Sequence, residues 1–362
     1  MKVSPELLTN VLHPAATEKR VCRTRELLIC LLLSTGFGIF VCSASNKILN
    51  RQSHRTETVE MERAILRGQP FYMSGRLTYI SPWQNRILFP ALLELGAHLG
   101  VFGVNGWYLL LRLLFSIAMF AAFWLALRTN TQAGFKLAGA GLLLLTYCLV
   151  LTFNSPFELT WDFPDAMFTA IFIIASLRRK RLLLLTISIV SAANRETSVF
   201  AGIIWFFLYG IDQNRKINWR EAGYAALVSI CSYITVILLR YASGGTQAIA
   251  TKPQFLTYRM SYYLLRDFVR HPTPFSWVGL TFCMLMPCVI WIALNQQSLI
   301  FIHKRLLGAA CTMAAISAVS SAIGDLRIYI PSLVLAIFVA VWAEANHSAP
   351  DPDYFHTRMF AE

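Results

Sequence analysis

The chain has 362 residues, of which 56% are hydrophobic and 14% charged, and its mean hydropathy is +0.53. Soluble domains carry about 25% charged residues, so this composition excludes an ordinary soluble protein. The net charge of +13 would indicate nucleic-acid binding in a soluble chain. Here Lys and Arg lie in short breaks between apolar runs, as in the cytoplasmic loops of membrane proteins, so no nucleic-acid partner is predicted.

The apolar runs predict an all-α fold, a polytopic transmembrane helical bundle of about 10–11 helices. The bundle occupies residues 26–344, between a basic cytoplasmic tail at 1–25 and a second cytoplasmic tail at 345–362. A long extracytoplasmic loop, 45–86, follows the first helix. A weaker apolar segment, 87–103, is expected from the distribution of basic residues to dip into the membrane or lie on its outer surface, although its sequence alone also allows a true span. The predicted spans are 26–44, 107–127, 137–153, 165–177, 182–193, 198–211, 222–241, 276–294, 306–323 and 327–344.

The first outer loop carries acidic and basic side chains in a stretch that can form a helix. Glu60 and Glu62 precede Arg63 and Arg67 there. One interpretation is an interfacial helix that supplies a carboxylate and cations to an anionic, lipid-linked substrate. The other is a solvated amphipathic helix at the membrane surface. The spacing alone leaves both interpretations open.

Charged residues also stand at the entrances of later apolar segments. Arg86 comes just before the segment that Pro90 interrupts. As an anchor its side chain would reach the lipid headgroups, and as a site residue its fork of donors would bind a phosphate. Asp162 and Asp165 flank Pro164, which favours the first turn of a helix. Both aspartates fit helix-dipole stabilisation and equally fit a general base or a cation site.

The tetrapeptide Asn194-Arg195-Glu196-Thr197 interrupts an apolar stretch that has no other charge between residues 182 and 210. A charge at the centre of a bilayer costs roughly 2.5–3.5 kcal/mol on insertion scales, so charged residues at this depth point to a functional site. Arg195 and Glu196 are adjacent, so on one helix they would point about 100° apart and could not easily neutralise each other. Other groups or a break in the helix must therefore compensate the two charges at membrane depth.

The distribution of basic residues decides between one long helix and two helices that turn at Asn194. If the N-terminus is cytoplasmic, all the short basic breaks face the cytoplasm only when the chain reverses at Asn194. Every polar cluster then falls on the extracytoplasmic side. The basic breaks are 128–136, 178–181, 215–220 and 303–305, and the polar clusters are 45–86, 154–165, 194–197, 243–276 and 324–327.

The last span opens with Asp325 and Arg327, and Pro331 follows one turn later. With Arg86 and Arg195 this gives three arginine-bearing entrances into one bundle, so the sequence predicts one outward-facing polar pocket. The candidate substrate-binding residues are Arg86, Asp162, Asp165, Arg195, Glu196, Asp325 and Arg327. No motif for ATP binding, a Rossmann cofactor or catalytic zinc is present.

Four segments together resemble bacterial polytopic proteins related to the GT-C glycosyltransferase superfamily. They are 85–90 (Asn-Arg-Ile-Leu-Phe-Pro), 162–168, 194–197 and 327–331 (Arg-Ile-Tyr-Ile-Pro), and the resemblance covers residues 26–344. It implies a multi-pass protein of the bacterial inner membrane that takes a sugar from a polyprenyl-phosphate donor on the extracytoplasmic face. The catalytic base of such enzymes is commonly an acidic residue in the loop after the first membrane helix.

Carried onto this chain, the resemblance implies that Glu60 or Glu62 is the base. Arg86, Arg195 and Arg327 would hold the leaving phosphate. Asp162 or Asp165 would hold a divalent cation or an acceptor group.

Two other functions remain open at this stage. A secondary transporter or flippase of an anionic or lipid-linked substrate would use half-helices that meet at the Asn194 turn. A non-catalytic membrane assembly protein would need no pocket, and its outer charges would be scattered.

Overall fold

The structure is a computed structural model. It describes residues 14–50, 54–67, 71–73, 76–78, 86–131, 133–152, 162–212, 216–242, 253–273, 276–320 and 326–347. These ranges form 13 α-helices and one two-stranded hairpin. The elements are α1 (Pro14–Asn50), α2 (His54–Leu66), β1 (Phe71–Met73), β2 (Arg76–Thr78), α3 (Leu88–His98), α4 (Val104–Asn130), α5 (Phe135–Thr152), α6 (Asp162–Leu177), α7 (Arg181–Ala192), α8 (Phe200–Trp205), α9 (Trp219–Ala242), α10 (Pro253–Arg270), α11 (Trp277–Leu294), α12 (Phe301–Ser320) and α13 (Ile330–His347).

Within the described residues each predicted span is helical. The span 198–211 combines the end of the 3-10 turn Glu196–Val199, α8 and the π-helical turn Phe206–Gly210, and the 3-10 turn Leu326–Tyr329 precedes α13. Five helical segments are long and apolar enough to cross a membrane, as a multi-pass membrane protein requires. They are Thr24–Ala44, Val104–Asn130, Phe135–Thr152, Trp219–Ala242 and Arg327–His347. The all-helical prediction therefore holds for the membrane part of the chain.

The structure differs from the sequence prediction in the first outer loop and at the two tails. Strands β1 and β2 form an antiparallel hairpin there, with Phe71 opposite Thr78, which the sequence analysis did not predict. Helix α1 extends beyond the predicted span 26–44 in both directions, and α13 continues to His347, inside the predicted tail. Both helices continue because an α-helix satisfies its own backbone hydrogen bonds inside and outside the bilayer.

Helix α13 lies at the centre of the bundle, and α1 and α9 lie at its surface. In the most apolar window of the last span 83% of residues are buried, against 22% in the corresponding window of α9. Many of the exposed side chains of α1 and α9 are large and apolar, as lipid contact requires. They include Leu27, Leu28, Leu31 and Leu32 on α1 and Leu227, Ile230, Ile234 and Leu238 on α9.

The membrane helices alternate in direction, which gives the bundle two distinct ends. Glu26 near the start of α1 pairs with Arg128 near the end of α4. Arg181 at the start of α7 pairs with Glu221 at the start of α9. We call this end, where α6 ends and α7 begins, the basic end. The opposite end, where α6 begins and α7 ends, is the polar end.

The chain reverses between α7 and α8, as the distribution of basic residues predicts. Helix α7 ends at Ala192, Arg195 is fully extended (φ −161°, ψ 155°), and a 3-10 turn starts at Glu196. At the end of the returning segment the hydroxyl of Tyr209 donates to the carbonyl oxygen of Ser176, close to the end of α6, at 2.8 Å. The polar tetrapeptide is therefore a turn between two short helices.

Helix α3 has 11 residues and is about 16 Å long, too short to cross a hydrocarbon core of about 30 Å. This agrees with the prediction that 87–103 does not span the membrane. Arg63 of α2 anchors it, since Arg63 Nε lies 2.8 Å from Glu94 Oε1. The start of α3 is tied to the end of α7, because the backbone N–H of Leu88 donates to the carbonyl oxygen of Ala193 at 2.9 Å.

Candidate functional site

Arg195 lies at the centre of a buried ionic group at the polar end. Its Nη1 donates to Asp162 Oδ1 at 3.1 Å and to Asp165 Oδ2 at 3.2 Å. The second oxygen of Asp165 accepts a hydrogen bond from the Thr197 hydroxyl. The side chains of Arg195, Asp162 and Asp165 are only 6%, 9% and 3% exposed. Three side chains from the start of α6 and the turn after α7 thus form a nearly inaccessible group with a formal charge of −1.

Glu196 forms a second ionic group beside the first. Arg86 Nη2 lies 3.1 Å from Glu196 Oε2, and Arg240 Nη2 lies 2.6 Å from Glu196 Oε1. The two arginines come from the segment before α3 and from the end of α9, which are distant in sequence. Arg86 also interacts electrostatically with Arg195 and Asp162, so the two groups form one cluster.

The cluster contains three guanidinium groups and three carboxylates. We call these six residues, Arg86, Asp162, Asp165, Arg195, Glu196 and Arg240, the polar-end cluster. Its formal charge is balanced, which explains how an arginine and a glutamate adjacent in sequence are tolerated in an apolar stretch. Each pairs across the bundle with residues of other helices, and buried charges of this kind persist only when they are paired.

The lengths of the flanking helices bear on the depth of the cluster in a membrane. Helix α6 has 16 residues and α7 has 12, so they are about 24 Å and 18 Å long. A hydrocarbon core is about 30 Å thick. If the basic end lies at the level of the headgroups, the cluster lies several ångströms below the opposite interface. Irregular backbone at that depth is tolerated only where protein or water surrounds it.

A close helix crossing brings Arg240 to Glu196. Gly202 of α8 faces α9 so closely that an added Cβ would lie 2.2 Å from Ser229 Oγ and 2.4 Å from the carbonyl oxygen of Ala225. Small residues allow this approach between membrane helices. The crossing holds α9 against the 3-10 turn that carries Glu196.

The exposure of the cluster is uneven. The Glu196 side chain is 33% exposed, against 11% for Arg86 and 13% for Arg240. Asp162 and Asp165 are enclosed behind it. A ligand that enters from the polar end would therefore meet Glu196 and its two arginines first.

The two predicted bases lie on α2 and face different surroundings. Glu60 is exposed, while Glu62 has no exposed surface. Helix α2 packs on α3 and α4, with Val59, three residues before Glu62, in contact with the hydrophobic group around Phe89 and Tyr108. Residues three apart share a face of a helix, so Glu62 points toward the bundle and Glu60 away from it.

Arg112 on α4 connects these surroundings to the polar-end cluster. Its Nη1 donates to the Tyr108 hydroxyl at 3.2 Å. Its guanidinium carbon lies 5.8 Å from the ring centroid of Phe163, the residue after Asp162. Arg112 is not among the predicted site residues, although it is the only charged residue of the predicted span 107–127. Its side chain is 2% exposed. That isolation was the signal available.

Arg240 was also missed, because an arginine at the end of a span is typical of an interfacial anchor. Of the remaining predicted residues, Arg327 is buried in the 3-10 turn before α13, at the polar end. Asp325 lies outside the described residues.

The resemblance implies that Asp162 or Asp165 holds a divalent cation or an acceptor group. Asp162 and Asp165, the proposed ligands, are both engaged by Arg195. Within the described ranges no three His, Cys, Asp or Glu side chains are grouped as metal ligands. The structure therefore presents the two aspartates as partners of an arginine.

Comparison of the chain with protein families, with curated protein sequences and with solved structures gave no match.

Proposed function

We propose that the chain is an integral-membrane glycosyltransferase that takes a sugar from a polyprenyl-phosphate donor. The observation that supports it is the polar-end cluster, in which two arginines from distant segments hold one partly exposed carboxylate. The basic breaks at the other end favour a cytoplasmic basic end and an extracytoplasmic polar end. The N-terminus is then cytoplasmic, and the donor enters from the outer leaflet of the cell membrane.

In this proposal Arg86 and Arg240 bind the phosphate of the donor. A phosphate and a carboxylate offer the same fork of acceptor oxygens to a guanidinium. The donor phosphate therefore takes the place of the Glu196 carboxylate, which rotates toward solvent. Arg195 does not bind the phosphate, because its guanidinium is held by Asp162 and Asp165; it fixes the turn that carries Glu196.

The base acts on the acceptor hydroxyl. As the hydroxyl oxygen attacks the anomeric carbon, its proton passes to a carboxylate and the bond from that carbon to the phosphate oxygen breaks. The products are the glycosylated acceptor and polyprenyl phosphate, whose developing charge the two arginines stabilise. Glu62 fits the role of base better than Glu60, because it faces the bundle while Glu60 faces away.

Turnover tests this assignment. The purified chain, given polyprenyl-phosphate-linked sugars in lipid vesicles, should release polyprenyl phosphate. We expect Glu62→Gln to lower the rate by about 10²–10⁴-fold, the usual contribution of a general base, and Glu60→Gln to leave it near the wild-type value. If both variants turn over normally, neither glutamate is the base.

A second function, a secondary transporter or flippase, is favoured by one observation. The short helices α7 and α8 meet at a polar turn, and half-helices of this kind often form transporter binding sites. The assembly-protein alternative is less favoured, because the outer charges converge instead of being scattered.

Accessibility of residue 197 distinguishes the enzyme from the transporter. A membrane-impermeant thiol reagent is added to either side of sealed vesicles that contain Thr197→Cys, with the wild-type chain as the reference for its native cysteines. Reaction from the outside alone is expected for the enzyme, whose site opens to one leaflet. Reaction from both sides would support alternating access instead.

A further inference from the structure

The basic end contains a pocket of its own, far from the polar-end cluster. It has a volume of 170 Å³ and is lined by Arg179, Arg181, Trp205, Tyr209, Asn218 and Glu221. These residues come from the turn between α6 and α7, the end of α8 and the start of α9. The length of α6 separates the pocket from the cluster by about 24 Å.

Arg179 occupies a backbone position that normally takes glycine. Its φ is 51°, the only positive value for a non-glycine residue within the described ranges. The N–H of Arg179 donates to the carbonyl oxygen of Ser176 and that of Lys180 to Ala175, the hydrogen bonds that close the end of a helix. Most side chains destabilise this left-handed conformation, so the chain retains an arginine where glycine would be more stable.

The Arg179 side chain is held toward the pocket by aromatic rings. Its guanidinium carbon lies 4.7 Å from the ring centroid of Tyr209. Tyr209 in turn packs against Trp205, with ring centroids 4.7 Å apart. A cation close to the face of an aromatic ring is stabilised electrostatically. The turn and the Tyr209 ring therefore hold the guanidinium of Arg179 beside the pocket.

The charges of the pocket do not balance. Arg181 pairs with Glu221, whose second oxygen accepts a hydrogen bond from Trp205 Nε1 at 3.0 Å. Glu221 is thus satisfied by Arg181 and Trp205, and Arg179 adds a positive charge with no carboxylate of the pocket left to match it. The exposed neighbours Arg178 and Lys180 increase the positive potential around the entrance.

We propose that this pocket binds a phosphate group, supplied by an anionic phospholipid of the leaflet at the basic end. A phosphodiester carries the single negative charge that the pocket lacks, and guanidinium groups are good partners for it. The site lies where α6 ends and α7 begins, at the end of the bundle where the basic breaks predict the cytoplasmic leaflet. This inference does not depend on the glycosyltransferase proposal, since it concerns the opposite end of the molecule.

Arg179→Gly is the decisive variant, because glycine relieves the strained turn while it removes the guanidinium. The full-length chain in a neutral detergent is titrated with phosphatidylglycerol, and bound lipid is counted by native mass spectrometry. We expect about tenfold weaker binding in the variant, together with an unchanged or higher Tm. The Tm shows that any lost binding is not a loss of folding.

Arg178→Gln is the matched control, since it removes the same charge from the adjacent exposed position, which does not line the pocket. It should bind phosphatidylglycerol within about twofold of the wild type. An equal loss in both variants, or no loss in Arg179→Gly, would overturn the site. A parallel titration with inorganic phosphate identifies the source of the bound phosphate group. If the wild type binds inorganic phosphate but not phosphatidylglycerol, and Arg179→Gly loses that binding, the lipid is not the ligand.

Discussion

Arg195→Met is expected to lower the free energy of unfolding by about 3–5 kcal/mol. The substitution replaces the guanidinium by an apolar side chain of similar length. Asp162 and Asp165 are nearly inaccessible, and they would remain close together without the cation that joins them. A buried charge left without its partner costs more than the pair contributed. Unfolding of the full-length chain in detergent, followed by helix loss against denaturant or temperature, measures the change.

The triple variant Arg195→Met, Asp162→Asn, Asp165→Asn separates the charge effect from lost side-chain contacts. It removes all three charges, so much of the lost stability should return, because buried ionic groups can often be replaced by neutral side chains at little cost. The three single and three double variants complete the cycle, in which residues in contact are expected to be non-additive. Equal stability of Arg195→Met and wild type would mean that the group does not hold the turn.

The same ionic group shows how far the sequence could predict this fold. The charge distribution predicted that the chain reverses at Asn194, and the structure has the turn there. It also predicted that Asp162, Arg195 and Glu196 lie at one end of the bundle, and all three belong to the polar-end cluster. These predictions succeed because alternation of membrane helices fixes which loops share a side, however distant they are in sequence.

The pairing of charges within that end could not be predicted in the same way. The family resemblance implies a substrate phosphate as the partner of Arg195, and in the structure its guanidinium donates to Asp162 and Asp165. The alternating direction of the membrane helices fixes the side of the membrane on which each loop lies. It does not fix the rotation of each helix about its axis, which decides the side chains that meet. Arg112 was missed for the same reason, since its burial depends on which face of α4 meets the bundle.

The first outer loop marks another limit of prediction. Helix α2 was anticipated as a stretch that can form a helix, but the hairpin of β1 and β2 was not. Each strand has three residues. An alternation of polar and apolar residues over three positions is too short to predict a strand. The choice between Glu60 and Glu62 was likewise open in the sequence and follows from the side of α2 that packs on α3 and α4.

Arg86→Ala is expected to lower the rate of polyprenyl-phosphate release by about 10²–10³-fold, as the loss of one preorganised donor to a developing negative charge does. Arg86 is the less exposed of the two arginines on Glu196, and it would stabilise the departing phosphate at a depth where water does not screen the charge. Arg86→Lys should be intermediate, because it keeps the charge but loses the planar fork. Initial rates at saturating donor in lipid vesicles provide the comparison.

Arg128→Ala is the matched control for this result. Arg128 is also an arginine paired with a single glutamate, Glu26, but it lies at the basic end. Its loss should therefore leave the rate within about twofold of wild type. The same substitution should cost up to about 1 kcal/mol of stability. A similar Tm for Arg86→Ala and Arg128→Ala would show that the rate difference is not a difference in folding. If Arg86→Ala releases polyprenyl phosphate as fast as Arg128→Ala, the two arginines on Glu196 do not bind the donor phosphate, and the ion pair serves only to close the polar end of the bundle.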